Sequence, residues 1–217
     1  MSRTFIRISS TIKGQLHCHY VTLQKSLLKK RFHRSFSKAN HCYISQNCIG
    51  GRFYILQGRR YTTPTVGLWF EPSGFLTLCE NLKESLESEV LPDLEESNKL
   101  GYPVGRINGI KILFQHYSTF EQARASWMRR ISRFSIENAF LLMTDRDGFT
   151  NEDMKRFAKL PTARKILFSH KVIPHVENVV YVPGFEEQGF VGDLYDSYNE
   201  LNRRVVRKKL FSLLGRS

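Results

Sequence analysis

Cys42-Tyr43-Ile44-Ser45-Gln46-Asn47-Cys48-Ile49-Gly50-Gly51 is the stretch on which the fold turns. Four residues that suit a strand run into a polar pair, and a glycine pair then breaks the extended run. Phe53, Tyr54 and Leu56 follow at a spacing that suits a short helix ending near Gly58. A strand that turns over into a helix is the repeating unit of an α/β sheet. The rest of the chain keeps that rhythm.

Working outward, Pro64-Thr65-Val66-Gly67-Leu68-Trp69-Phe70 reads as a second strand. A helix is expected from Pro72 to Glu89, because Pro suits a first turn and Phe75, Leu76, Leu78, Leu82 and Leu86 recur at helical spacing. Residues 102–114 read as two strands joined at Asn108-Gly109, a strong hairpin signal. Ser118 with Glu121 forms a capping-box pattern that opens a helix running to Arg133. Residues 138–143 form a buried strand, Thr150 caps a helix that Pro161 ends, and residues 165–168 and 179–182 give two more strands. The fold class expected is therefore α/β: a single domain with a mixed, mostly parallel sheet flanked by helices, Rossmann-like, with basic helices at both ends.

A chain of 217 residues, 41% hydrophobic, is long enough to bury a full core in one domain. The longest apolar runs, such as Ala139 to Met143, fall far below the roughly 18 to 20 residues of a membrane span. The net charge of +13 sits mostly at the ends. Residues 1–40 hold nine Lys/Arg and residues 203–217 hold six, with no acid in either, leaving 18 basic residues against 20 acids in residues 41–202. The division expected is a basic extension over 1–40, an α/β domain over 41–202 and a basic helix end over 203–217. A body with net charge −2 and no RNA or DNA motif argues against a nucleic-acid partner despite the pI of 9.8.

Cys18, Cys42, Cys48 and Cys79 show no CxxC spacing and fit reduced thiols in a cytoplasmic protein. The N-terminus lacks the apolar core of a secretory signal, although an Arg-rich, Ser-rich, acid-free start also matches an organellar transit peptide. Leu16, Leu23, Leu27, Leu28, Phe32 and Phe36 among Lys25, Lys29, Lys30, Arg31 and Arg34 read as a basic amphipathic helix. Such a helix either packs on its own domain or lies on an anionic membrane surface.

Four expected strand ends carry reactive side chains: Asn47 and Cys48, His116 and Tyr117, Asp145 and Asp147, and Ser169 and His170. Ligands of open α/β sheets bind outside the carboxyl ends of strands, where loops converge and helix N-termini point inward. Gly50-Gly51 would let a backbone approach a phosphate, though the segment matches neither GxGxxG nor GxxxxGK[ST], and a plain tight turn explains it as well. Cys48 would act as a nucleophile if His116 or His170 met it in space; otherwise it is a small buried hydrophobe. Asp145-Arg146-Asp147 puts two carboxylates on a loop, where they would grip a divalent cation that bridges phosphates, or simply make a solvated turn with Gly148. His17-Cys18-His19 has ligand residue types, but adjacent side chains point apart. Trp127, Arg129, Arg130 and Arg133 on one helix would hold a phosphate or a sugar carboxylate, or form an exposed basic face.

Taken together, Asn47-Cys48-x-Gly50-Gly51, Tyr61-x-x-Pro64-Thr65-x-Gly67-Leu68, Tyr102-Pro103-Val104-Gly105, His116-Tyr117, Trp127-x-x-Arg130, Asp145-Arg146-Asp147-Gly148 and Arg156-Phe157-x-x-Leu160-Pro161 resemble a bacterial family of unknown biochemical function. Its members are often labelled exopolysaccharide or capsule biosynthesis proteins. The resemblance runs over about residues 41–200 and implies a setting in surface-polysaccharide assembly beside glycosyl- and acyltransferases. It carries over no catalytic residue, and it argues against an organellar protein.

The expectation is a cytoplasmic transferase acting on a nucleotide sugar or lipid-linked sugar. His116, Cys48 and His170 would be catalytic, and Asn47, Gly50, Gly51, Thr65 and Arg130 would bind substrate. Asp145 and Asp147 would hold a divalent cation. The competing expectation is a non-catalytic adaptor of the assembly machinery, held at the inner membrane face by its basic ends.

Overall fold

The computed structural model describes the backbone of residues 2–215 and the side chains of residues 17–215. Four strands, β1 (Cys42–Ser45), β5 (Ala139–Thr144), β6 (Lys165–Ser169) and β7 (Val179–Tyr181), lie side by side in that order and are all parallel. Alternation along them sorts the core into two layers, as period-2 side-chain geometry requires. Tyr43, Phe140, Leu142, Ile166, Phe168 and Val180 face one layer, and Ile44, Leu141, Met143 and Leu167 face the other. Both faces are covered, which is why these strands read as unbroken apolar runs.

The first layer is built by α1 (Ser2–Phe36), α2 (Ile49–Gln57), α8 (Tyr198–Asn202) and α9 (Arg204–Leu214). Leu28, Phe32 and Phe36, four residues apart on α1, are buried, and the Phe32 ring lies 5.2 Å from that of Phe53 and 5.0 Å from that of Phe211. The amphipathic helix thus spends this part of its apolar stripe on its own core. Leu23 remains exposed, and Leu16 lies outside the described side chains. No helix among the described residues is long and apolar enough to cross a membrane.

Most of the second layer comes from the long insertion between α2 and β5. It contains α3 (Pro72–Glu80), α4 (Leu82–Glu87), β2 (Leu91–Pro92), α5 (Leu94–Leu100), β3 (Val104–Ile107), β4 (Ile110–Leu113) and α6 (Phe120–Ile131). The Asn108-Gly109 hairpin forms as expected, with both residues at positive φ, 47° and 78°. Its strands join β2 in a separate three-stranded antiparallel sheet. The helix expected over 72–89 is broken at Asn81 into α3 and α4. α6 is capped by Thr119, one residue later than the Ser118 capping box expected, and Thr150 caps α7 (Asn151–Lys159) in a capping box with Asp153.

One expected strand does not form. Residues 64–68 make a turn, and only Trp69 pairs, with Leu113. Pro64 has no N–H for a ladder, and hydroxyls take over the work along the edge of β1. Thr63 Oγ1 donates to Tyr43 O at 2.7 Å, and Thr65 Oγ1 accepts from Ser45 N–H at 3.0 Å. Phe70 N–H then donates to Gln46 O at 3.0 Å, so residues 69 and 70 stitch the hairpin sheet to the end of β1. The exposed edge is covered without a strand.

His41 fastens the C-terminal helix. Its Nε2 lies 2.9 Å from Leu214 O, so that nitrogen carries the proton and donates. Burial pushes its pKa below the ordinary 6.5; the Leu214 carbonyl opposes this, and the charges of Arg164 and Arg59 add to it. A depressed folded pKa means protonation favours the unfolded chain, so this stabilisation is complete above pH 6.5 and is lost as pH falls through the folded value. Urea midpoints from pH 7.5 to 5 should therefore drop on the acid side, and His41→Phe should flatten that drop while costing about 1 kcal/mol for the lost hydrogen bond. An unchanged acid limb in His41→Phe would remove His41 as its cause.

Candidate functional site

β1 hands the chain to α2 on the first layer, while β5 hands it to α7, whose Phe157 lies in the second layer. The connections leave neighbouring strands toward opposite faces, and that divergence opens a crevice outside their carboxyl ends. Two side chains floor it. Gln46 Oε1 accepts from Thr144 N–H at 3.1 Å, and Asn47 Nδ2 donates to Thr144 Oγ1 at 2.9 Å while its Oδ1 accepts from Ile49 N–H at 3.3 Å. Asn47 therefore clamps β1 to β5, and both ends of its amide are occupied.

Beside this floor is a cavity of about 530 Å³, within the roughly 300–1,000 Å³ range of small-molecule sites. Cys48 and Gly51 enter it from the start of α2, Tyr61, Val66 and Gly67 from the turn, and His116 and Tyr117 from the segment after β4. Ser126 and Arg130 of α6 and Asp193 and Tyr195 of a later loop close it. Cys48 Sγ lies 3.5 Å from His116 Nε2. Burial, followed by the Asp193 carboxylate, holds the Cys48 thiol above its ordinary pKa, with Arg146 pulling the other way. Cys48 thus keeps its proton in this contact, and the tautomer of His116 sets which of the two atoms donates.

The walls have identifiable supports. The turn at residues 65–68 closes with Leu68 N–H donating to Thr65 O at 3.1 Å and uses Gly67 at φ 72°. A Cβ at Gly67 would sit 3.8 Å from His116 Cδ2, so this backbone lines the His116 ring. The same turn presents Val66 O to Arg130 Nη1 at 2.6 Å, and the Arg130 guanidinium stands 5.5 Å from the Tyr61 ring centre. On the far side, buried Arg52 of α2 donates to Tyr195 O and to Asp196 Oδ1, the latter at 2.7 Å, and stacks 3.8 Å from the Tyr195 ring centre. Arg52 thereby pins the loop that brings Asp193 and Tyr195 over the cavity.

Of the residues singled out in the sequence, Cys48, His116, Tyr117, Gly51 and Arg130 meet here. The others have different work. Thr65 is 0% exposed and spent on the β1 edge. Gly50 packs α2 against β1, since a Cβ there would lie 2.6 Å from Ser45 Cβ. Its N–H already donates to Ser45 Oγ at 3.1 Å, so with Asn47 capping Ile49 two donors of the helix start are taken and the expected phosphate cradle is not built. Trp127 is a core side chain, 1% exposed.

Asp145 and Asp147 do not converge. Asp145 Oδ2 accepts from His170 N–H at 2.8 Å and from His170 Nδ1–H at 2.6 Å, and its Oδ1 accepts from Val191 N–H at 2.8 Å. Asp147, at φ 63° beside Gly148, instead accepts from Trp69 Nε1 at 2.8 Å and from Arg146 Nε at 3.1 Å. Among the described residues no group of three or more His, Cys, Asp or Glu is placed to hold a metal ion. His170 is tied to Asp145 and does not line the cavity. Three of the four polar strand ends do share the carboxyl edge of the parallel sheet, whereas His116 arrives from the antiparallel one.

Asp193 and Tyr195 carried no signal in the sequence. They follow Gly-rich irregular chain, and contacts distant in sequence hold their loop, Arg52 at Tyr195 O and Asp145 at Val191 N–H.

A family model described as a domain of unknown function (DUF1919) matches residues 19–211. A Haemophilus influenzae protein described as uncharacterized is 32% identical over 173 residues, covering 80% of this chain and 82% of that protein. The family match begins inside α1, which agrees with the packing of that helix on the core.

Proposed function

Because the chain belongs to the family described as a domain of unknown function (DUF1919), its own site has to supply the chemistry. We propose that it is a group transferase of bacterial surface-polysaccharide assembly, taking a nucleotide sugar or a lipid-linked sugar as donor. The observation that carries this reading is the contact of Cys48 with His116 in a cavity that Arg130 also enters.

In this reading His116 is the general base. An acceptor hydroxyl displaces the Cys48 thiol from Nε2 and gives its proton to that nitrogen as its oxygen attacks the sugar carbon. The new bond to the acceptor oxygen forms as the sugar–phosphate C–O bond breaks, and the phosphate leaves with the electron pair. The Asp193 carboxylate stabilises the imidazolium that forms, and the Arg130 guanidinium stabilises the charge growing on the phosphate. The thiol holds the imidazole in register before the acceptor arrives.

The test is replacement of the gene by His116→Ala in the organism that encodes it, with surface polysaccharide weighed and the purified protein checked for an unchanged melting curve. Transfer from a sugar-diphosphate donor should fall about a hundredfold or more, the usual contribution of a positioned base. Undiminished polysaccharide from a folded His116→Ala protein would overturn the proposal.

A further inference from the structure

A second concavity adjoins the cavity, of about 360 Å³, lined by Arg59, Arg60 and Tyr61 after α2 and by Arg129, Arg130 and Arg133 on and just beyond α6, with Ile55 beneath. No acid lines it. None of the five arginines lies within ion-pair distance of a carboxylate among the described residues, whereas Arg52, Arg106, Arg124, Arg146 and Arg156 each do. A body with 18 basic residues against 20 acids has carboxylates to spare, yet five of those 18 are gathered here without one.

Four of the five guanidinium groups are held and still mostly unspent, and Arg60 is exposed. Arg130 gives one N–H to Val66 O, Arg133 gives its Nε to Arg129 O at 3.1 Å, and Arg129 reaches Ser126 Oγ at 3.1 Å. Arg59 Nη1 reaches His41 O at 3.2 Å and Gln57 Oε1 at 3.3 Å. Each guanidinium has five donors, so most of the fork remains open for an oxyanion. Like charges crowded together raise the energy of the empty site, and an anion relieves it. Tyr61 and Arg130 belong to both concavities.

We infer that this depression is an anion subsite that takes the diphosphate of the donor while the group to be transferred sits against His116. The inference rests on the transferase reading and extends it from one phosphate contact at Arg130 to a diphosphate site. A pocket of this size accepts one compact anion. A nucleic-acid strand would need a longer basic track than one depression supplies.

The test uses the full chain, with sodium pyrophosphate, orthophosphate and sulfate as probes in calorimetry at fixed ionic strength. Pyrophosphate should bind about tenfold more tightly than either single anion, since two oxyanion groups engage two sets of forks. The pair Arg60→Ala and Arg133→Ala, neither of which lines the Cys48 cavity, should weaken pyrophosphate binding about tenfold or more with an unchanged melting curve. Cys48→Ala should bind as wild type. Equal affinity for all three anions, or wild-type binding by the arginine pair, overturns the subsite. So does binding to phosphatidylglycerol vesicles that needs the same arginines and is not displaced by pyrophosphate, which would make the depression a lipid-surface contact. The two proposals fail separately: loss of polysaccharide in His116→Ala beside arginine variants that still bind pyrophosphate removes only the subsite. Arginine-dependent pyrophosphate binding beside a silent His116→Ala removes only the base.

Discussion

Asp145→Ala should destabilise the protein by about 3 kcal/mol, the cost of leaving several buried donors without their acceptor. The Asp145 side chain is 4% exposed and accepts three N–H groups, two from His170 and one from Val191. The substitution leaves all three donors without a partner, and Val191 is fully buried, where water cannot replace the carboxylate. Asp145→Asn should recover part of the loss, because an amide keeps the shape and one acceptor oxygen but turns a donor toward a donor. Urea denaturation of the two variants checks the order. A cost below about 1 kcal/mol for Asp145→Ala would mean that these contacts are not formed in solution.

Gly50→Val should cost about 3 kcal/mol, the upper range for overpacking a closed core, and should also lower the proposed transfer activity in whatever fraction folds. The new Cβ would meet Ser45 Cβ at 2.6 Å and Ser45 Oγ at 3.1 Å, and a Cβ attached to a strand backbone has nowhere to go. The start of α2 must lift away from β1. Cys48 sits at that start, so its 3.5 Å contact with His116 opens as the helix moves. Gly51→Ala is the contrasting control: its Cβ meets only Val66 Cγ1, at 3.2 Å, the tip of a side chain that can yield. Similar urea midpoints for Gly50→Val and Gly51→Ala would contradict this account.

The sites of these substitutions mark how far the sequence could be read. Gly50 stood out in the sequence as a possible phosphate loop, and its function in the fold is close helix–strand packing. Asp145 stood out as a metal grip paired with Asp147, but an Asp two residues away is turned elsewhere by a left-handed residue and by the Trp69 indole. Spacing along the chain shows which groups are near; it does not show which donors claim them.

Residue types and their period were enough to determine the alternating strands and helices, the Asn108-Gly109 hairpin, the Thr150 cap and the near-neutral body between basic ends. Those features depend on neighbours a few positions apart, so their physics is local. The missing strand at residues 64–68, the split of the sheet in two and the packing of α1 were decided by tertiary contacts. So was the meeting of Cys48 with His116, and of Arg59 and Arg60 with Arg129, Arg130 and Arg133. Each of these depends on which distant backbone offers a hydrogen-bond partner or an apolar face, as Tyr43 and Ser45 do for Thr63 and Thr65, and as Arg52 does for Tyr195. A cavity is the space left between such elements, so its lining is fixed only when the chain has closed.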